Sequence, residues 1–182
     1  MSEETYNGET EAMNDMIDEV ASNEVPVGAE VEAEVEATVE VLAPYEDVPF
    51  RVMHLESVPY DLTDPSPMVH LLEAESPFRY LVIPVALPDA IAIQYAHSAI
   101  VGRRPSTHEL FYSVLAGLGT EVIAARIVRY DSGVFYAELD LMTPKGRRVF
   151  DCRTSDAISM ALRQKTAAPI LCSEEVLQHY YS

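Results

Sequence analysis

Residues 151–158 read Asp-Cys-Arg-Thr-Ser-Asp-Ala-Ile, and they pass from a predicted strand directly into a predicted helix. Thr154 or Ser155 is placed to cap that helix, and Asp156 lies in its first turn. Apolar residues then follow at the spacing of a core-facing helix. Because a helix begins with unpaired backbone N–H groups and a partial positive charge, this junction is also a candidate site for a phosphate or another anion.

A second predicted helix start carries a similar mixture of charged and hydroxyl side chains. Residues 104–110 read Arg-Pro-Ser-Thr-His-Glu-Leu, in which Ser106 and Glu109 fit the capping-box pattern. Gly117 and Gly119 predict the end of this helix. Between Ser106 and Gly119 the sequence has a helical stripe of apolar residues, formed by Leu110, Phe111, Val114, Leu115 and Leu118. Two such helix starts in one small domain indicate a site that handles an anionic substrate.

The other elements mix strands and helices without strict alternation, which favours an α+β fold. The sequence predicts strands over residues 51–58, 68–73, 79–85, 121–130, 134–142, 147–152 and 169–172. It predicts helices that begin at Pro88, Ser106, Thr154 or Ser155, and Ser173, the first of them running to about Val101. We therefore expect a single compact mixed-sheet domain with three to four helices.

Negative charge is concentrated before this domain. Residues 1–50 hold 15 of the 30 acidic residues and no Lys or Arg, whereas the rest of the chain holds 15 acidic and 12 basic residues. Since blocks of like charge without an apolar period stay solvated, we expect a disordered acidic leader over residues 1–47 and a folded domain over 48–182. In the alternative, the leader folds over a basic surface and competes with an anionic ligand.

Several classes of protein are excluded. Cys152 and Cys172 form neither a disulfide framework nor a zinc pattern. The first residues are acidic and lack the apolar run of a signal peptide, and no apolar stretch approaches membrane-spanning length. There is no Gly-rich phosphate loop, nucleophile elbow or zincin helix. We expect a cytoplasmic protein with free thiols and no membrane partner.

His108 is the strongest candidate for a catalytic residue at the second helix start. It lies beside Arg103 and Arg104, where a neutral imidazole could act as a general base, a metal ligand or a hydrogen-bond donor to phosphate. The alternative is a structural histidine that partners Glu109 or a cap.

Asp151, Arg153 and Asp156 form the candidate cluster at the first junction. The two carboxylates could hold a divalent cation such as Mg²⁺ or Mn²⁺, which would activate water, while Arg153 grips a phosphate. Equally, Arg153 could bridge the strand-end and helix-start aspartates as a structural ion pair. The sequence leaves both alternatives open.

From about Phe50 to the end, the chain resembles the bifunctional nuclease domain family, whose members are described as DNase/RNase domains. Residues 81–93 resemble the family's strand-to-helix segment, and residues 104–110 resemble its Arg-Pro-x-Thr-His-Asp-Leu motif. Residues 151–161, followed by Pro169-Ile170, resemble its Asp-x-Arg-Pro-Ser-Asp-Ala-Ile-x-x-Ala motif. The chain departs from the pattern where Thr154 replaces proline, Glu109 replaces aspartate and Val85-Ala86 replaces Ile-Gly.

The resemblance implies a low-specificity nuclease that acts on DNA and RNA phosphodiesters and forms a homo-oligomer, with a dimer favoured. Together with the clusters above, it leads us to expect catalytic roles for His108, Glu109, Asp151 and Asp156, with the cation on the two aspartates. The expected phosphate-binding residues are Arg104, Thr107, Arg153 and Ser155. The alternative is a non-catalytic regulatory or binding module for nucleic acid, a nucleotide or an acidic protein. Convergence of His108, Asp151 and Asp156 in one cleft would favour catalysis.

Overall fold

The computed structural model describes residues 49–59 and 66–181, and over them the predicted α+β class is confirmed. The strands are β1 (Phe50–Ser57), β2 (Met68–Glu73), β3 (Tyr80–Pro84), β4 (Glu121–Asp131), β5 (Val134–Thr143), β6 (Gly146–Arg153) and β7 (Ile170–Ser173). The helices are α1 (Leu87–His97), α2 (Thr107–Gly117), α3 (Thr154–Leu162) and α4 (Glu174–Tyr180). The predicted leader lies outside the described residues.

The described strands form one mixed sheet in the order β3-β2-β1-β7-β4-β5-β6. Neighbouring strands are antiparallel except for β7 and β4, which run parallel. The chain reaches β7 from the edge strand β6 through α3, and α3 packs on β4 and β5. The junction at residues 151–158 therefore joins the sheet edge to the helix that covers the sheet, as the sequence predicts.

Helix α3 is the most deeply buried of these helices. Ala157, Ile158 and Ala161, which the sequence places at core spacing, are all at most 1% exposed. Helices α1 and α2 pack on α3 in turn. This arrangement brings the starts of α1, α2 and α3 to one side of the core.

The cap of α3 differs from the prediction. Arg153 is the N-cap residue, and its side chain does not cap the backbone. The Thr154 hydroxyl instead donates to the Phe135 carbonyl oxygen at 2.9 Å, which ties the helix start to β5. The Ser155 hydroxyl donates to Asp89 Oδ2 at 3.3 Å, which ties it to α1. Both hydroxyls donate to residues outside α3, so neither of them caps the backbone of its own helix.

Helix α1 ends earlier than predicted, at His97 rather than near Val101. Ser98 is its C-cap, and Ala99 has a φ of 52° in the left-handed region, which stops the helix before Gly102. Its apolar sequence predicts burial on most faces, but Tyr95 is 41% exposed. The apolar chain after His97 lies on the surface as a result.

Within residues 49–59 and 66–181, no helix combines the length and the apolar content needed to cross a membrane.

Glu73 at the end of β2 holds together a buried ionic cluster. It is 1% exposed and accepts hydrogen bonds from Arg51 Nε and from Arg79 Nε, the latter at 3.0 Å. Arg79 also donates to Glu174 Oε1 at 2.8 Å, which links α4 to the sheet. Hydrogen bonds from Arg79 lower the pKa of Glu73 to about 2 even though burial acts in the opposite direction.

We expect Glu73→Gln to lower the free energy of unfolding by about 3 kcal/mol at pH 7, since it leaves two guanidinium groups without their buried carboxylate. The stabilisation from ionised Glu73 is complete above about pH 4.5 and is lost as the pH falls towards 2. Urea unfolding at pH 7 and pH 3 measures both effects, and the difference from wild type should shrink at pH 3. Exposed Glu75→Gln is the control, and equal midpoints for the two variants would contradict this account.

Candidate functional site

The first turns of α1, α2 and α3 meet, and each contributes one ionisable side chain to a common cluster. Asp89 comes from α1, His108 from α2 and Asp156 from α3. Arg153, at the end of β6, is the fourth member. We call these four residues the Arg153 cluster.

The Arg153 guanidinium bridges the two carboxylates. Its Nε donates to Asp156 Oδ2 and its Nη2 to Asp156 Oδ1, both at 2.8 Å. On the other side, Nη1 and Nη2 donate to the two oxygens of Asp89 at 3.2 and 3.3 Å. The Arg153 side chain is nevertheless 64% exposed, so an incoming anion can reach it. The sequence suggests a bridge between Asp151 and Asp156, and in the structure Asp89 takes the place of Asp151.

His108 is held by Asp156. The distance from His108 Nε2 to Asp156 Oδ1 is 3.0 Å, and among the described residues Asp156 is the only hydrogen-bond partner of the ring. Because a carboxylate only accepts, Nε2 carries a proton in this contact, and in the neutral form of the ring Nδ1 has a lone pair. Partial burial acts to raise the pKa of Asp156, but hydrogen bonds from Arg153 and His108 outweigh it and hold that pKa below its usual value.

The cluster faces a cavity of about 640 Å³. Its polar wall contains all four residues of the Arg153 cluster together with Thr107, and Phe111, Leu139 and Met160 contribute apolar surface. A second cavity of about 670 Å³ shares Asp89 and Arg153 with the first and is lined further by Tyr136, Asp151 and Ser155. Arg153 therefore lies between two adjoining cavities.

The family model for the bifunctional nuclease domain matches residues 69–181, which include every residue of both cavities. This chain belongs to the bifunctional nuclease domain family. The resemblance seen in the sequence is thereby confirmed.

Two curated relatives of this bifunctional nuclease domain come from Mycobacterium tuberculosis, strains CDC 1551 / Oshkosh and H37Rv. Each is named an uncharacterized protein and is 36% identical over 111 residues. The match covers 61% of this chain and 64% of each relative, so it spans less than two thirds of their length.

The structure brings together most of the predicted site residues of the bifunctional nuclease domain. Thr107, His108, Arg153 and Asp156 line the first cavity. Asp151 and Ser155 line the second, where they share Arg153 with the first. His108 and Asp156 thus share one cavity, whereas Asp151, the third residue whose convergence would favour catalysis, lines the other cavity.

Glu109 and Arg104 lie apart from both cavities. Glu109 accepts the Ser106 backbone N–H at 2.6 Å, which completes the predicted capping box and is the main cause of its lowered pKa. It also pairs with Arg163 at 3.3 Å and lines neither cavity of the site. Arg104 is exposed in the loop between α1 and α2. In the structure Glu109 forms the capping box that the sequence predicts and does not join the Arg153 cluster.

Asp89 is the site residue that sequence reasoning missed. Pro88 and Asp89 read as an ordinary helix start, in which the acid complements the helix dipole. The available signal was its position inside residues 81–93, one of the three segments that carry the family resemblance. Its contacts with Arg153 and Ser155 make it part of the site.

The described residues do not form a ready cation site. Residues 49–59 and 66–181 contain no group of three or more His, Cys, Asp or Glu side chains placed to hold a metal ion. Both oxygens of Asp156 accept hydrogen bonds from a guanidinium, and Asp151 lines the other cavity. A cation would have to displace Arg153 from Asp156, so the predicted Mg²⁺ or Mn²⁺ stays a prediction.

Cys152 lines both cavities but is not suited to nucleophilic chemistry. Burial, reinforced by the charges of Asp156 and Asp151, raises its pKa to about 12. Since the thiolate is the reactive form, the thiol stays protonated at neutral pH.

Proposed function

We propose that this domain hydrolyses the phosphodiester bonds of DNA and RNA with low sequence specificity, and that the reaction takes place at the Arg153 cluster. One observation carries the proposal: the His108–Asp156 pair opens onto a cavity beside an exposed guanidinium. Membership of the bifunctional nuclease domain family supports nucleic acid as the ligand.

His108 acts as the general base in this proposal. Its Nδ1 lone pair takes a proton from water as the water oxygen attacks phosphorus and the bond to the leaving oxygen breaks. Asp156 fixes the ring through Nε2 and stabilises the imidazolium that forms. The same imidazolium then returns its proton to the leaving oxygen or to solvent.

Arg153 holds the phosphate. A planar guanidinium can bind two phosphate oxygens at once and neutralise the charge that develops on them. To do so it gives up one of its two carboxylates, and the contacts to Asp89 at 3.2 and 3.3 Å are longer than those to Asp156 at 2.8 Å. We expect Asp89 to be the partner released. No step described here depends on a metal ion.

The alternative function is a module that binds nucleic acid without cleaving it. One observation favours it: two carboxylates share one guanidinium, so the resting cluster is satisfied internally. In that case a phosphate can still displace Asp89, but no water is activated.

A cleavage assay with the purified full chain separates these functions. End-labelled single-stranded DNA and RNA of mixed sequence are incubated with the protein, with and without a chelator, and binding is measured on the same samples. We expect internal cleavage of both polymers. Loss of cleavage in the presence of the chelator would show that the reaction needs the predicted divalent cation. Binding without cleavage would establish the non-catalytic alternative, and cleavage at the wild-type rate by both His108→Ala and Arg153→Ala would mark a contaminating nuclease.

A further inference from the structure

The first cavity of the site is polar at the helix starts and apolar one helical turn further on. Each of the three helices that meet there contributes an ionisable residue from its first turn and an apolar residue three or four positions later. These pairs are Asp89 and Ala92 from α1, His108 and Phe111 from α2, and Asp156 and Met160 from α3. Because residues at this spacing are neighbours on a helix surface, the Arg153 cluster continues directly into an apolar wall.

Phe111 is the large apolar residue of this wall that solvent reaches most easily. It is 46% exposed, whereas Met160 is 1% exposed and Leu139 is 5% exposed. Within residues 49–59 and 66–181, its ring has no aromatic partner. An exposed aromatic ring beside a phosphate site is the kind of surface on which proteins stack nucleobases.

The charges of the site are too unfavourable to hold a strand through its phosphates alone. Among the described residues, the two cavities are lined by the carboxylates of Asp89, Asp151 and Asp156 and by one guanidinium, that of Arg153. Proteins that bind nucleic acid through its backbone neutralise several phosphates with Lys and Arg. A single guanidinium among three carboxylates does not do this, so the affinity has to come from an uncharged part of the nucleotide.

We propose that the apolar end of the first cavity is a nucleobase subsite, in which Phe111 stacks on an unpaired base of the strand whose phosphate lies on Arg153. The position of that phosphate rests on the proposed function. The cavity volume of about 640 Å³ lies within the range of about 300–1,000 Å³ that is usual for ligand sites. Since every base has a π face, stacking of this kind is tolerant of sequence.

The subsite defines the substrate class as single-stranded nucleic acid. A base within a duplex is paired and stacked on its neighbours, and it has to be extruded before it can enter a cavity. The energy of extrusion is saved when the strand is already unpaired. We therefore expect single-stranded DNA and RNA to bind more tightly than the same nucleotides in a duplex.

Binding of short strands to the full chain tests the subsite without relying on cleavage. The probe is a single-stranded hexanucleotide with phosphorothioate linkages, which keep it intact, and the matched control is an abasic strand with the same linkages and charge. We expect the abasic strand to bind roughly 10- to 100-fold more weakly, the usual contribution of one or two stacked bases. A hairpin that pairs the same six nucleotides should bind at least about 10-fold more weakly than the hexanucleotide.

Variants of Phe111 identify the stacking residue. Phe111→Ala should weaken binding of the hexanucleotide roughly 10- to 100-fold and leave binding of the abasic strand unchanged, whereas Phe111→Tyr should retain the affinity. With 2-aminopurine in the hexanucleotide, stacking should quench its fluorescence on the wild type and on Phe111→Tyr but not on Phe111→Ala. Leu110→Ala is the control, since Leu110 is 58% exposed and lines neither cavity of the site.

Three results would overturn the subsite: equal affinity for the hexanucleotide and the abasic strand, a Phe111→Ala protein that binds as Leu110→Ala does, or no measurable binding of any strand. Failure of the proposed hydrolysis gives a different result. Binding that depends on bases and on Phe111, without cleavage, would retain the subsite and remove the hydrolysis. Cleavage by a protein that binds both strands equally would do the reverse.

Discussion

His108→Ala is expected to lower the rate of phosphodiester cleavage by roughly 10²–10⁴-fold, the usual contribution of a general base. The loss should fall on kcat, because the ring acts on the attacking water and His108 is not the group that holds the phosphate. Binding of an uncleaved oligonucleotide should therefore change little. Single-turnover cleavage and a separate binding titration measure the two quantities.

His54→Ala is the matched control for this variant. His54 is an exposed histidine in β1 and lines neither cavity of the site. The His54→Ala protein should cleave at the wild-type rate. A His108→Ala protein that binds normally and cleaves at the rate of His54→Ala would remove the imidazole from the mechanism.

Arg153→Ala is expected to weaken both phosphate binding and cleavage, together by about 10²–10³-fold, since it removes the cation that neutralises the scissile phosphate. Arg153→Lys should restore only part of the loss, because an ammonium group is a point charge and cannot bridge two acceptors in a plane. Without the guanidinium, Asp89 and Asp156 also face each other uncompensated. The pKa of Asp156 should then rise, and the acidic limb of the pH–rate profile should move to higher pH.

Arg104→Ala provides the comparison. Arg104 is an expected phosphate ligand that lines neither cavity, so its loss should change cleavage by no more than about threefold. A purely structural Arg153 would lower the melting temperature of the Ala variant without moving the pH profile. Equal losses for the two arginine variants would point to diffuse surface electrostatics and not to a defined phosphate site.

The helix starts could be predicted from the sequence because their signals are local. Ser106 and Glu109 form their capping box within four residues, and the structure contains it. The junction at residues 151–158 likewise passes from β6 to α3 as predicted. Spacing and capping chemistry determine such features with little help from the rest of the chain.

The partners of the site residues could not be predicted in the same way, because they depend on tertiary packing. Arg153 pairs with Asp89, 64 residues earlier in the chain, and not with the neighbouring Asp151. Residue type and spacing make Asp151 the nearer candidate. Only the packing of α1 on α3 places the other carboxylate within reach of the guanidinium.

The periodicity of the sequence also does not determine which surroundings the apolar side of α2 faces. The spacing of Leu110, Val114 and Leu118 predicts one apolar side of a helix, and that helix is present. It does not reveal whether the apolar side meets the core of the same chain or an external partner. In the structure these three side chains face outward, and Leu115 and Tyr112 pack inward instead.

The most direct test of the catalytic assignment is a double-mutant cycle between His108→Ala and Asp156→Asn, with single-turnover cleavage as the readout. If Asp156 acts by holding and stabilising the imidazole, the double variant should cleave within about threefold of the slower single variant, since groups that act as a unit are lost together. Losses that multiply in the double variant, or an Asp156→Asn protein that cleaves at the wild-type rate, would contradict the assignment.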